Sequence, residues 1–107
     1  IGAPVEVRYA IQGTVARGTS TPVALAIVPR APGRLQVEFP ATGNVAVSVD
    51  KAPLVVEKAA ASVAYRYALH ATPQGADSGT LKVIVTMEFG DARYFSVFNI
   101  PLGTATE

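Results

Sequence analysis

Apolar and polar residues alternate along most of the chain. Val5, Val7, Tyr9 and Ile11 alternate with Glu6, Arg8 and Ala10; Leu35, Val37 and Phe39 with Gln36 and Glu38; and Val45, Val47 and Val49 with Ala46 and Ser48. Val63, Tyr65, Tyr67 and Leu69 alternate with Ala64, Arg66, Ala68 and His70, and Leu81, Val83, Val85 and Met87 with Lys82, Ile84, Thr86 and Glu88. A period of two puts successive side chains on opposite faces of an extended strand. The pattern predicts strands near 5–11, 22–28, 34–39, 45–49, 62–70, 80–89 and 93–100, with Leu54-Val55-Val56 as a short edge strand guarded by Lys58. No stretch has sustained helical periodicity; Glu57 to Ser62, with its alanines, accommodates one helical turn.

Turn chemistry punctuates these runs. Pro29-Arg30-Ala31-Pro32-Gly33, Pro40-Ala41-Thr42-Gly43-Asn44, Asp50-Lys51-Ala52-Pro53, Thr72-Pro73-Gln74-Gly75 and Gly90-Asp91 each separate two strands. Proline removes a ladder donor, and glycine and asparagine accept the positive φ of tight turns. Seven or eight short strands at this spacing make an all-β, antiparallel sandwich. A single domain over residues 1–103 with a tail at 104–107 fits a length of 107 residues, which buries about two-thirds of the unfolded surface.

Asp77-Ser78-Gly79 leading into Thr80-Leu81-Lys82-Val83 resembles the entry to the penultimate strand of immunoglobulin-like domains. The family's usual Tyr and Cys are replaced by Leu81 and Val83, and there is no Trp, so the chain is similar to the cysteine-free bacterial immunoglobulin-like and fibronectin type III-like modules of exported proteins. The resemblance implies an immunoglobulin-like sandwich of seven to eight strands. In it, 34–39, 45–49, 80–89 and 93–100 form one sheet, and 5–11, 22–28, 54–57 and 62–70 the other. It supplies no activity, because the fold hosts many unrelated functions.

Composition narrows the chemistry. Nine basic and eight acidic residues are scattered, without the basic stripe of a nucleic-acid binder. There is no cysteine, hence no disulfide, thiolate site or thiol nucleophile. No apolar run approaches the ~18 residues of a membrane span. The chain begins at Ile1 rather than Met, which we read as the mark of a removed export signal and therefore of a periplasmic or extracellular location.

His70 is the sole histidine and Met87 the sole methionine. A metal-delivery role would need them to converge, whereas alternation puts Met87 inward and His70 opposite its strand's apolar set. Serines 20, 48, 62, 78 and 96 lie in no nucleophile-elbow context, and Glu6, Glu38 and Glu88 fall on polar faces. Gly13 to Gly18 does not match a phosphate loop, and Asp50, Asp77 and Asp91 occupy separate turns. No catalytic, cofactor or metal site is expected.

The final hairpin exceeds what a core needs. Tyr94-Phe95-Ser96-Val97-Phe98-Asn99-Ile100 is apolar on both faces, so either Phe95 and Val97 or Tyr94 and Phe98 point outward. With Ile84, these aromatics form a candidate partner surface comprising Ile84, Tyr94, Phe95 and Phe98. The expected function is a non-catalytic interaction or structural module of the bacterial cell envelope, whose partner is another protein or a second copy. Alternatives are a small periplasmic metal or ligand carrier and a subunit of a pilus or adhesin assembly.

Overall fold

The alternation is realised as eight strands: β1 (Val5–Ile11), β2 (Thr21–Pro29), β3 (Gly33–Glu38), β4 (Val45–Lys51), β5 (Val55–Ala59), β6 (Tyr65–Pro73), β7 (Thr80–Phe89) and β8 (Ala92–Pro101). The structure is a computed structural model that describes residues 3–12, 18–40, 45–51, 54–74 and 80–102. The Gly13–Arg17 part of the glycine segment, the Asp77-Ser78-Gly79 turn and the 104–107 tail lie outside the described residues. No helix occurs among those described.

All strand pairings are antiparallel, and they build two four-stranded sheets, β1-β2-β6-β4 and β5-β3-β7-β8. The inner faces are mostly the apolar sets read from the sequence, although Tyr9, Val49 and Val63 of those sets are exposed. Val23, Leu25 and Ile27 from β2 and Tyr67, Leu69 and Ala71 from β6 meet Leu35 and Val37 from β3 and Leu81, Val83, Val85 and Met87 from β7 in one core. Burying a Val, Leu, Ile or Met side chain contributes about 1.5–3 kcal/mol, so this alternation dominates the fold's stability.

Four expectations are corrected. First, β4 lies in the sheet of β1, β2 and β6, and β5 in that of β3, β7 and β8, the reverse of the predicted partition. Alternation specifies which side chains face inward but not which strand lies alongside. Here Val45, Val47 and Val49 find partners at Pro73, Ala71 and Leu69 of β6. In the second sheet the strand beside β3, opposite β7, is β5, and the Val37 amide donates to the Leu54 carbonyl at 2.8 Å.

Second, the helical turn expected over 57–62 is absent. The strand continues to Ala59, and the chain reverses through Ser62 at φ 65°, its amide donating to the Pro29 carbonyl at 2.8 Å. The side-chain hydroxyl makes Ser tolerable in this left-handed turn position, where a β-branched residue would be strained. Third, β6 continues through Pro73, so Thr72-Pro73 belongs to the strand and His70 lies within it rather than at its end. Proline is accommodated at a strand terminus, where a missing donor matters little. Fourth, Asp50 is a strand residue of β4 and not a turn residue.

β7 and β8 are joined by Gly90-Asp91. Gly90 has φ 61° and Asp91 does not have positive φ, the combination of a type II′ turn with glycine first. Phe89 therefore pairs with Ala92, and this two-residue loop sets the register of the whole hairpin.

Candidate functional site

In that register Ile84 lies directly across from Val97, Thr86 from Phe95, Lys82 from Asn99 and Glu88 from Arg93. Because Phe89 and Ala92 close the loop as a hydrogen-bonded pair, 82/99, 84/97, 86/95 and 88/93 are the non-hydrogen-bonded pairs, in which side chains approach more closely. All of them project from the outer face of the second sheet. Phe95 is 63% exposed and Val97 44%. The rows extend across the sheet, Gln36 joining Thr86 to Val55 and Glu38 flanking Ile84. Val55, itself exposed, adds a third strand's apolar side chain to the patch.

The register settles the alternative left open by the sequence. Ile84 and Phe95 share the outer face, whereas Tyr94 and Phe98 turn inward opposite Met87 and Val83 and pack against the core. Tyr94 meets the Phe89 ring with centroids 5.9 Å apart. Val97 and Val55 belong to the patch although the sequence reading did not select them. The signal for Val97 was the loop length: with two residues in the turn, every odd residue of β8 from Arg93 to Asn99 is committed to the outer face. Nothing comparable in the sequence places Val55, whose position depends on the β3–β5 pairing.

Charge borders the patch on the turn side. Arg34 Nη1 donates to Glu88 Oε2 at 3.1 Å and Gln36 Oε1 at 3.3 Å, while its Nε donates to Glu57 Oε1 at 3.2 Å. Arg93 Nε lies 3.7 Å from Glu88 Oε2. These part-exposed pairs are screened and individually worth little, and they separate the apolar rows from the hairpin tip.

The outer face of the first sheet is different. Alanines at 10, 24, 26 and 68 floor an open groove of about 870 Å³, with Arg8 and Arg66 on either side of Ala26. Arg8 Nε donates to Glu6 Oε2 at 2.6 Å, and this bond, with the charge attraction, holds the Glu6 carboxyl below its usual range and the guanidinium above its own. Beyond the groove, His70 Nδ1 stands 2.5 Å from Asp50 Oδ2, where the β4–β6 register shifts between Val49 and Lys51. Ser48 is the register partner of His70. These three groups are the members of a triad, but both ring and carboxylate are about two-fifths exposed, and no described hydrogen bond links Ser48 to the ring. Met87 is fully buried in the other sheet, so His70 and Met87 do not converge. Among the described residues, no three His, Cys, Asp or Glu side chains cluster to hold a metal ion.

No protein-family model matches the chain, and no curated protein is significantly similar to it. The functional reading therefore rests on these surfaces alone.

Proposed function

We propose that the chain is an immunoglobulin-like interaction module of the bacterial cell envelope, working in the periplasm or at the cell surface without catalysis of its own. It docks the apolar surface of a protein partner on the outer face of the β7–β8 hairpin. The observation that supports this most is Phe95. A phenylalanine in a regular strand, exposed over more than half its surface beside Val97 and Ile84, adds nothing to the core yet offers an apolar anchor on a rigid sheet. The groove on the opposite face supports a ligand carrier less well. Its floor is alanine, and the two arginines at its sides, Arg8 and Arg66, are exposed, so their charges fix a ligand's orientation weakly.

The test is cross-linking in the native envelope fraction, with wild type beside folded Ile84→Glu and Phe95→Asp variants. Hydrogen exchange should then be measured on the purified complex. Capture lost in both variants, with protection on β7 and β8, supports docking at this face. Capture unchanged by either variant, or protection confined to the first sheet, refutes it.

A further inference from the structure

The two sheets have four edge strands, β1 and β4 in one and β5 and β8 in the other. An unpaired edge is a template for another strand, and proteins blunt such edges with charge, proline, bulges or shortness. Three edges here are blunted. β1 follows Pro4 and carries Glu6 and Arg8; β4 is bulged at Asp50; and β5 is five residues long and bears Glu57 and Lys58. β8 has none of these along its length. It runs for ten residues, carries only Arg93 near one end, and reaches proline only at its last position, Pro101.

The hairpin register also says which backbone groups are unused. Ala92, Tyr94, Ser96, Phe98 and Ile100 pair with β7, so the amides and carbonyls of Arg93, Phe95, Val97 and Asn99 point away from it. Among the described residues, no backbone hydrogen bond meets that outer edge. Among the described residues, one hydrogen bond reaches β8 from outside its hairpin: the Ala3 amide donates to Ser96 Oγ at 2.8 Å, a side-chain acceptor that leaves those backbone groups unused.

We infer that β8 is a homodimerisation edge, and that its occupant is the β8 strand of a second copy, added antiparallel about a twofold axis at Ser96. Charge favours this occupant. With one guanidinium and no carboxylate, β8 lacks the alternating charges that would select a foreign strand, while its own sequence reversed meets it without conflict. The Ser96-centred register puts Arg93 opposite Asn99 of the second copy rather than opposite another cation. It also sets Phe95 against the second copy's Val97 on the outer face and Tyr94 against its Phe98 on the inner one. Aromatic and β-branched cross-strand pairs of this kind are favourable. All outward-pointing groups from Arg93 to Asn99 are satisfied, and the isologous contact closes at two copies rather than growing into a fibre. The two second sheets become one eight-stranded sheet, with an unbroken apolar row across the seam. The inference rests on the main-chain edge rather than on Ile84, although Phe95 and Val97 belong to both surfaces.

The test is sedimentation equilibrium of the chain up to about 1 mM, a range that reaches weak association. Wild type should dimerise, and Val97→Pro should be monomeric, because it removes an amide that β7 does not use. Asn99→Glu, which faces Arg93 of the second copy, should tighten the dimer roughly fivefold, and Asn99→Lys should loosen it. Ile84→Glu should leave the dimer intact, which separates this inference from the docking reading. A wild type that stays monomeric overturns it, as does a dimer that survives in folded Val97→Pro. If Val97→Pro does not fold, the Asn99 pair decides: opposite shifts support the inference and no shift refutes it.

Discussion

Gly33 sits against the main chain of Glu88 so closely that a Cβ on it would lie 2.6 Å from the Glu88 carbonyl oxygen and 2.9 Å from the Phe89 ring. Both neighbours belong to the end of β7, where Arg34 reaches across to the Glu88 carboxylate. The close approach brings the start of β3 under the closing hairpin. Gly33→Ala should therefore cost about 1–3 kcal/mol in urea denaturation, as overpacking does. Adding Phe89→Ala should not restore stability, since the nearest obstacle is a backbone carbonyl. Full rescue by that second change would show that the ring alone sets the constraint.

Two valines in adjacent strands separate core from surface. Val85 is fully buried, and Val97 lies on the outer face of β8. Val85→Ala should lower stability by roughly 2 kcal/mol or more, and Val97→Ala by less than about 1 kcal/mol. Equal losses in chemical denaturation would mean that the outer face is covered.

Tyr67 supplies a pH dependence. Burial, with a smaller contribution from neighbouring Tyr65, pushes its hydroxyl up to about 12. An unfolded tyrosine releases its proton near about pH 10. Above that pH the unfolded chain binds fewer protons than the native one, so stability falls as pH rises. The contribution is intact below about pH 10 and lost by about pH 12. Wild type should lose stability more steeply than Tyr67→Phe between about pH 9 and about pH 11.5 in urea titrations. Identical slopes would exclude Tyr67 as the source.

The His70–Asp50 pair should behave as a surface contact. A double-mutant cycle with His70→Gln and Asp50→Asn should give a coupling below about 1 kcal/mol that shrinks with added salt. A coupling several times larger, insensitive to salt, would indicate a desolvated pair with a role beyond fastening β4 to β6.

Much of the sandwich was legible because burial in the central strands follows their own alternation, as in Leu81, Val83, Val85 and Met87, while at the edges Tyr9 and Val49 depart from it. Pairing was less legible. Which strand lies beside β4 depends on contacts far away in sequence, and the immunoglobulin analogy placed both β4 and β5 in the opposite sheets. The same distance hid the meeting of His70 with Asp50, which depends on the β4–β6 pairing. The outer face of β8 was half legible. Period two offered two sets of residues, and only the two-residue loop at Gly90-Asp91 chooses Phe95 and Val97 over Tyr94 and Phe98.

From β2 to β7 the chain changes sheet at every step, β3, β5 and β7 on one side and β2, β4 and β6 on the other. Only the terminal hairpins, β1–β2 and β7–β8, can form from contiguous sequence. During synthesis the first sheet is incomplete until β6 emerges, and β3 waits for β7 before it gains its central neighbour. The molecule therefore assembles late and nearly all at once, through non-local pairings that close slowly.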